Sequence, residues 1–175
     1  MKIQFIATVV GPLGPDVLKS LAAVSREQGA EWLSSKLIML DGQFAAMMKV
    51  SIEDDKEAAL RDCLAREFPT LGFVYAPVAA VEGPVQQIEL ELDCNDRPGL
   101  TRDVNDVLAN LGVCVSRMES HRVQVTSLGR TLFNASLSVA LPPEMDIATL
   151  TSALEAVEPN ARVHYRESAL AAHRV

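Results

Sequence analysis

Two prolines and two glycines set the frame of this chain. Pro15 recurs as Pro98 and Gly29 as Gly112, both 83 positions on, and the residues around them repeat one order of apolar patterns and turn signals. In the first half a strand-like run of Ile3, Phe5, Ala7 and Val9 leads into Gly11-Pro12-Leu13-Gly14-Pro15 and then into a helical pattern. In the second half Ile88, Leu90, Leu92 and Cys94 lead into Asn95-Asp96-Arg97-Pro98-Gly99 and another helical pattern. Such self-similarity predicts two copies of one small unit. Two copies imply two pseudo-equivalent sites, whereas a catalytic centre needs one asymmetric constellation.

The second half is the easier to read. From 88 to 94 apolar residues alternate with Glu89, Glu91 and Asp93, the period of a half-buried strand. Leu100, Val104, Val107, Leu108 and Leu111 follow at helical spacing, with Gly112 where a terminal glycine belongs. Residues 113–126 read as extended, Ser127-Leu128-Gly129 as a turn, and Phe133 to Leu141 as a strand stopped by Pro142-Pro143. A second helix (Ile147, Leu150, Leu154, Val157) and a strand over 161–165 complete the order βαββαβ.

The first half repeats it. Helices are expected over 16–28 and 54–68, a hairpin over 32–52 through Asp41-Gly42, and a last strand over 73–78. The link 79–85 contains Gly83 and Pro84 and has no periodicity, so the predicted domains are 1–80 and 86–167. The tail after Glu167 is short, helical or frayed. The expected fold class is α+β: two tandem ferredoxin-like βαββαβ units, each an antiparallel sheet with helices on one face and a wetter opposite face. Open faces and edges need cover, from the other half or from a second copy in a homodimer.

Composition narrows the function. Over 175 residues, 49% are hydrophobic and 22% charged, as in an ordinary soluble globular protein. A net charge of −7 and the lack of any basic run argue against direct nucleic-acid binding. Cys63, Cys94 and Cys114 share no metal-type or disulfide-type spacing, which fits a reducing compartment. No signal-peptide pattern opens the chain and no apolar run is long enough to span a membrane, so a cytoplasmic protein is expected. Nothing calls for a cofactor or a metal.

The chemistry sits in Asn95-Asp96-Arg97-Pro98-Gly99-Leu100. Pro98 pre-sets a helix-start dihedral and Gly99 lets a ligand approach backbone. Free N–H groups of the first helical turn, at the positive end of the helix dipole, attract a carboxylate. Asn95 or Asp96 can accept from an ammonium group, so the turn is matched to an α-amino acid. A plainer reading stands beside it: a helix start with Asp96 as its cap. In the first half Gly11, Pro12 and Gly14 are the corresponding candidates. There Leu13 replaces the acid, Gly14 the arginine, and Asp16 stands where Gly99 stands. A carboxylate at that place repels a ligand carboxylate, so the first site is expected to be altered.

The turn Asp96-Arg97-Pro98-Gly99-Leu100, after a first strand and inside a βαββαβ unit, resembles the signature of ACT domains, regulatory modules that commonly bind amino acids there or at module interfaces. The whole chain resembles the tandem ACT-domain repressors of the glycine cleavage system. The closer likeness lies in Met1-Lys2-Ile3-Gln4-Phe5-Ile6-Ala7-Thr8-Val9-Val10-Gly11, in Leu18-Lys19-Ser20-Leu21-Ala22 and in the Gly42-Gln43-Phe44 hairpin. The resemblance implies a regulator without enzymatic activity, acting through a LysR-type DNA-binding activator, with glycine relieving repression. Two other readings stay open: a ligand-independent interaction module, and a small acyl-phosphate hydrolase using Arg97 and Asn95.

Other residues have plainer explanations. His121, His164 and His173 lie far apart without ligand spacing. Cys63 and Cys94 read as core filler, Cys94 alternatively as a redox-sensitive thiol. Trp32, Met39, Met47 and Met48 fill a core or form an adaptable contact surface. The stretch Met118 to Arg122 is solvated or an inter-module contact. No GxSxG or phosphate-loop pattern occurs.

Overall fold

A computed structural model describes residues 1–79 and 86–167, and the chain divides into two units, Met1–Val81 and Glu82–Val175. All of the predicted link except Ala79, and the tail after Glu167 with His173, lie outside the described residues. The first unit runs β1 (Lys2–Pro12), α1 (Val17–Glu27), β2 (Glu31–Leu40), β3 (Gln43–Glu53), α2 (Glu57–Glu67), β4 (Gly72–Pro77). The second runs β5 (Gln86–Asn95), α3 (Leu100–Asn110), β6 (Cys114–Val125), β7 (Arg130–Leu141), α4 (Ile147–Glu155), β8 (Arg162–Glu167). Both sheets are antiparallel, ordered β2-β3-β1-β4 and β6-β7-β5-β8. The α+β class and the doubled βαββαβ order are those read from the sequence.

Local sequence explains the shared elements. At the end of α1, Ala30 N–H donates to Ser25 O (2.9 Å) and Gly29 N–H to Arg26 O (2.9 Å). At the end of α3, Val113 N–H donates to Leu108 O (2.9 Å) and Gly112 N–H to Ala109 O (3.0 Å). Both closures turn on the paired glycines, which satisfy the last carbonyls of each helix. The first hairpin turns through Asp41 (φ 47°) and Gly42 (φ 79°), the double positive φ of a type I′ turn. The second hairpin is longer, turning through Thr126–Leu128 and Gly129. Register measures the difference: Phe44 faces Gly11 and Phe133 faces Cys94, so the offset has grown from 83 to 89 past the hairpin (133 − 44).

Each unit has its own core. Phe5, Ala7 and Val9 of β1 pack with Leu21, Phe44, Leu60 and Leu64. Ile88, Leu90, Leu92 and Cys94 of β5 pack with Leu108, Phe133, Leu150 and Leu154. Each fully buried side chain of this size contributes roughly 1.5–3 kcal/mol by leaving water. Cys63 is buried as expected, and Cys114 is exposed.

The faces turned away from the helices differ, and here one expectation needs correcting. In the second unit that face is wet. Glu89, Glu91 and Asp93 lie opposite Ser138, Ser136 and Asn134 on one side and Arg166, His164 and Arg162 on the other. In the first unit it is apolar. Ile6, Thr8 and Val10 lie opposite Lys49, Met47 and Ala45, and opposite Ala76, Val74 and Gly72. The reason is legible in β1, where Phe5-Ile6-Ala7 and Val9-Val10 are apolar at both parities. That is the pattern of a strand covered on both sides. Accordingly the hairpin residues divide: Met48 is buried and Trp32 half-buried, while Met39 and Met47 are exposed.

Candidate functional site at the strand-to-helix turns

After β5 the chain reverses through Arg97-Pro98-Gly99-Leu100. Leu100 N–H donates to Arg97 O (3.4 Å), and Gly99 holds φ 81°, ψ −2°. Proline second and a positive-φ residue third make this a type II turn. A Cβ at Gly99 would meet nothing within 4 Å, so glycine is required here for its dihedral and leaves open space beside it. Helix α3 begins at Leu100, two residues past Pro98, with Gly99 as its cap residue and no side-chain cap. The reading of Asp96 as the cap, and of Pro98 as the first helical residue, is therefore corrected. Turn closure, rather than helix initiation, uses the proline.

The helix start leaves backbone donors uncommitted. Asp103 N–H donates to Gly99 O (3.0 Å) and Leu100 N–H closes the turn. The N–H groups of Gly99, Thr101 and Arg102 have no partner among the described residues. With the positive end of the α3 dipole behind them, they suit an anion.

Arg97 braces the place. Its Nε donates to Glu158 Oε2 (2.7 Å), its Nη2 pairs with Asp103 Oδ2 (2.7 Å) and donates to Val157 O (3.0 Å), and its Nη1 donates to Pro98 O (3.3 Å). Bonds to Asp103 and then to Glu158 raise its pKa above the usual arginine value. The guanidinium thus ties the turn to the first turn of α3 and to the loop after α4. Asp96 is tied too: its N–H donates to Thr131 O (2.9 Å) and both carboxylate oxygens accept from Arg122 Nε (3.1 Å). Arg122 Cζ stands 5.6 Å from the Phe133 ring centre. Asn95 pairs with Leu132 at the end of β5, on the parity of Asp93 and so on the sheet face away from the helices. Leu100 is buried in the core, and Pro98 and Gly99 are exposed. The helix-start donors and Arg97 are brought together; Asn95 is not with them. Cys94, beside the turn, is buried, and its thiol is pushed up by burial and then by the charges of Glu158, Asp93 and Asp96.

In the first unit the same frame carries different chemistry. Leu13 N–H donates to Gly42 O (3.2 Å), as Asp96 N–H does to Thr131 O, but Leu13 packs on the core. Val17 N–H donates to Gly14 O (3.3 Å), and Asp16 has φ −108°, ψ 0°, the third position of a type I turn. Gly11 answers a steric demand: its Cβ would come 2.6 Å from Leu71 Cδ2 and 3.1 Å from Thr70 O, so that space is filled by the protein itself. Pro12 is exposed, and Gly14 has ordinary packing against Val17. Sequence reasoning missed Asp103, Glu158 and Arg122, which immobilise the second turn. Glu158 and Arg122 come from distant elements, so no local pattern announces them.

A cleft of ≈ 250 Å³ lies elsewhere in the first unit, lined in part by Phe5, Glu57, Arg61 and Tyr75. Arg61 Cζ sits 4.4 Å from the Tyr75 ring centre, and Arg61 Nε and Tyr75 Oη are buried without hydrogen-bond partners among the described residues.

Residues 4–73 match the family model of the ACT domain. No curated protein matches the chain. Among solved structures it is similar to an unknown protein from Galdieria sulphuraria, with TM-score 0.84 and 22% identity over 96% of this chain and 99% of that one. It is also similar to a protein named as a candidate glycine cleavage system transcriptional repressor, with TM-score 0.71 and 12% identity over 96% and 99%. At such identities these two likenesses speak for fold. Residues 4–73 are an ACT domain, and the second unit repeats its fold, so the chain carries two ACT-like units in tandem.

Proposed function

We infer that this chain is an amino-acid-responsive regulator without enzymatic activity, whose ligand site is the turn from Arg97 to Leu100 with the first turn of α3. The observation carrying this reading is the group of uncommitted N–H donors at a helix start, bared by Gly99 and braced by Arg97. They would take the ligand's carboxylate. Asp96, neutralised by Arg122, and Asn95, on the far face, are poorly placed for its ammonium group, which would remain near solvent or meet a second surface. Arg97 then acts by positioning rather than by contact. The first-unit turn, with Asp16 at the helix start and Leu71 against Gly11, serves structure.

In its finer form the regulator is a repressor of glycine cleavage gene expression, reaching DNA through a LysR-type activator and released by glycine. The net charge of −7 favours a protein partner over DNA itself. A ligand shifts such an equilibrium only by its differential affinity for the two states. Hydrolysis of an acyl phosphate loses support, because Arg97 is already committed to Asp103 and Glu158. The interaction-module reading keeps a specific observation in its favour, the apolar open face of the first sheet.

Titration calorimetry with glycine and other amino acids tests the site. Wild type is expected to bind at least one, Gly99→Asp to bind it at least roughly tenfold more weakly through like-charge repulsion and strain, and Asp16→Gly to leave affinity unchanged. Identical behaviour of wild type and Gly99→Asp with every amino acid would refute the site. Co-purification of a DNA-binding partner with and without glycine tests the repressor reading.

A further inference from the structure

We propose that the cleft beside α2 is a second ligand site, which takes a small monocarboxylate with an apolar body and holds it through Arg61. The cleft measures ≈ 250 Å³; Ile3, Phe5 and Pro77 give it apolar walls, and Glu57, Arg61 and Tyr75 bring polar groups. Pockets for drug-sized molecules run to about 300–1,000 Å³, so the guest here is smaller. Arg61 is set up to receive it. Its Cζ stands 4.4 Å from the Tyr75 ring centre and 5.6 Å from that of Phe5, so two aromatic rings hold the guanidinium in place. Its Nη2 pairs with Glu57, one turn back on α2, and Arg61 has no other hydrogen-bond partner among the described residues. The side chain is still 41% exposed, so part of its N–H fork faces water.

Chemistry selects the occupant. Nε of Arg61 and Oη of Tyr75 are buried without hydrogen-bond partners among the described residues. Arginine only donates and the tyrosine hydroxyl can donate, so both call for an acceptor. A carboxylate, planar and with two acceptor oxygens, matches the guanidinium fork. Arg97 shows how much such a fork can hold: it pairs with two carboxylates, Asp103 and Glu158, where Arg61 pairs with one. The apolar walls favour an aliphatic or aromatic body, and Asp54, Asp55 and Glu57 at the start of α2 disfavour a second carboxylate. The second unit is built differently here. Tyr165 stands opposite Leu90 as Tyr75 stands opposite Ala7, yet α4 begins with Ile147 and carries Thr151 where α2 begins with Glu57 and carries Arg61. Phe5 lies six residues before Gly11 in β1, about 20 Å of strand. The cleft is therefore distinct from the strand-to-helix turn of its own unit.

Titration calorimetry of the full chain with 3-methylbutanoate and phenylacetate tests the site, with the Arg61 Nε–H proton resonance as a local probe. Wild type is expected to bind at least one of these acids and to move that resonance, while the matching amide binds at least roughly tenfold more weakly. Arg61→Gln is expected to weaken binding at least roughly tenfold, and Arg61→Lys, which keeps the charge but loses the fork, by less. Should Arg61→Gln misfold, Arg61→Lys alone carries the test. Thr151→Ala, at the matching place in the second unit, is expected to leave binding unchanged. Binding of neither acid at up to about 10 mM overturns the proposal. So does an amide that binds as well as its acid, or an affinity indifferent to the folded Arg61 variants. Binding that is lost through Gly99→Asp instead also overturns it, because the acid then sits at the second unit's turn. Amino-acid binding at that turn is read separately, so either site can fail without the other.

Discussion

The two strand-to-helix turns share a frame and differ in what fills it. Each is latched by a backbone N–H to the neighbouring hairpin, from Leu13 in one and Asp96 in the other, and each places a proline second in a four-residue turn. The third residue then decides the turn type. Asp16, at φ −108°, gives type I, and Gly99, at φ 81°, gives type II. The two types differ by a flip of the central peptide, so the N–H of the third residue points to opposite sides in the two units. Both helix starts leave three backbone N–H groups without partners among the described residues, those of Asp16, Leu18 and Lys19 in one and of Gly99, Thr101 and Arg102 in the other, so the turns differ in the direction of the third residue's N–H and in the charge placed there. Duplication supplies the scaffold, and a single dihedral sets the turn type.

The largest test of this comparison concerns the two cores under the turns. Phe44 and Phe133 occupy matching register positions, and replacing either by alanine is expected to cost about 3–5 kcal/mol. Phe133→Ala should cost the more, because Phe133 also supports Arg122 and through it Asp96. Urea denaturation with one probe in each unit measures both, and equal loss at both probes from either substitution would break the picture of separate cores.

Gly99→Ala comes next, at about 1–2 kcal/mol, the strain of a left-handed dihedral at a site with room for the methyl group. Asp16→Gly should stay within about 1 kcal/mol, an effect of unfolded-chain freedom alone. Equal denaturation midpoints for the pair would mean that the turns are not of different type.

The smallest effect separates the second helices. Asp146 caps α4 by accepting from Thr149 N–H (2.6 Å), whereas α2 has no side-chain cap. The backbone bond, and then the Thr149 hydroxyl, hold the Asp146 carboxyl below its ordinary pKa. Its contribution is therefore complete above the unfolded-state value and disappears as pH falls through the lower folded value. A carboxyl titration by NMR should place Asp146 below free aspartate, and Asp146→Ala should remove that part of the acid sensitivity.

Much of this was readable without coordinates. The paired prolines and glycines located both turns and both helix ends, and Asp41-Gly42 located a type I′ hairpin, because these residues act through their own dihedrals. The apolar character of the first sheet's open face was not anticipated, since Ile6 and Val10 lie at the other parity of β1 from Phe5, Ala7 and Val9. Arg97 was read as a ligand contact, yet its partners Glu158 and Val157 lie some sixty positions away. Nor could spacing place Asn95 on the sheet face away from the helices.

By itself the sequence determined the doubled βαββαβ order, the strand and helix periods, and the acidic balance that argues against nucleic acid. These are local or summed properties, carried by backbone preference and charge. Only tertiary structure decided that Arg97 is a brace, that Asp96 is neutralised by Arg122, that Leu71 fills the space at Gly11, and that one open sheet face is oily and the other charged. Each of those depends on which distant residues folding brings within a few ångströms, where short-range contacts and hydrogen bonds act.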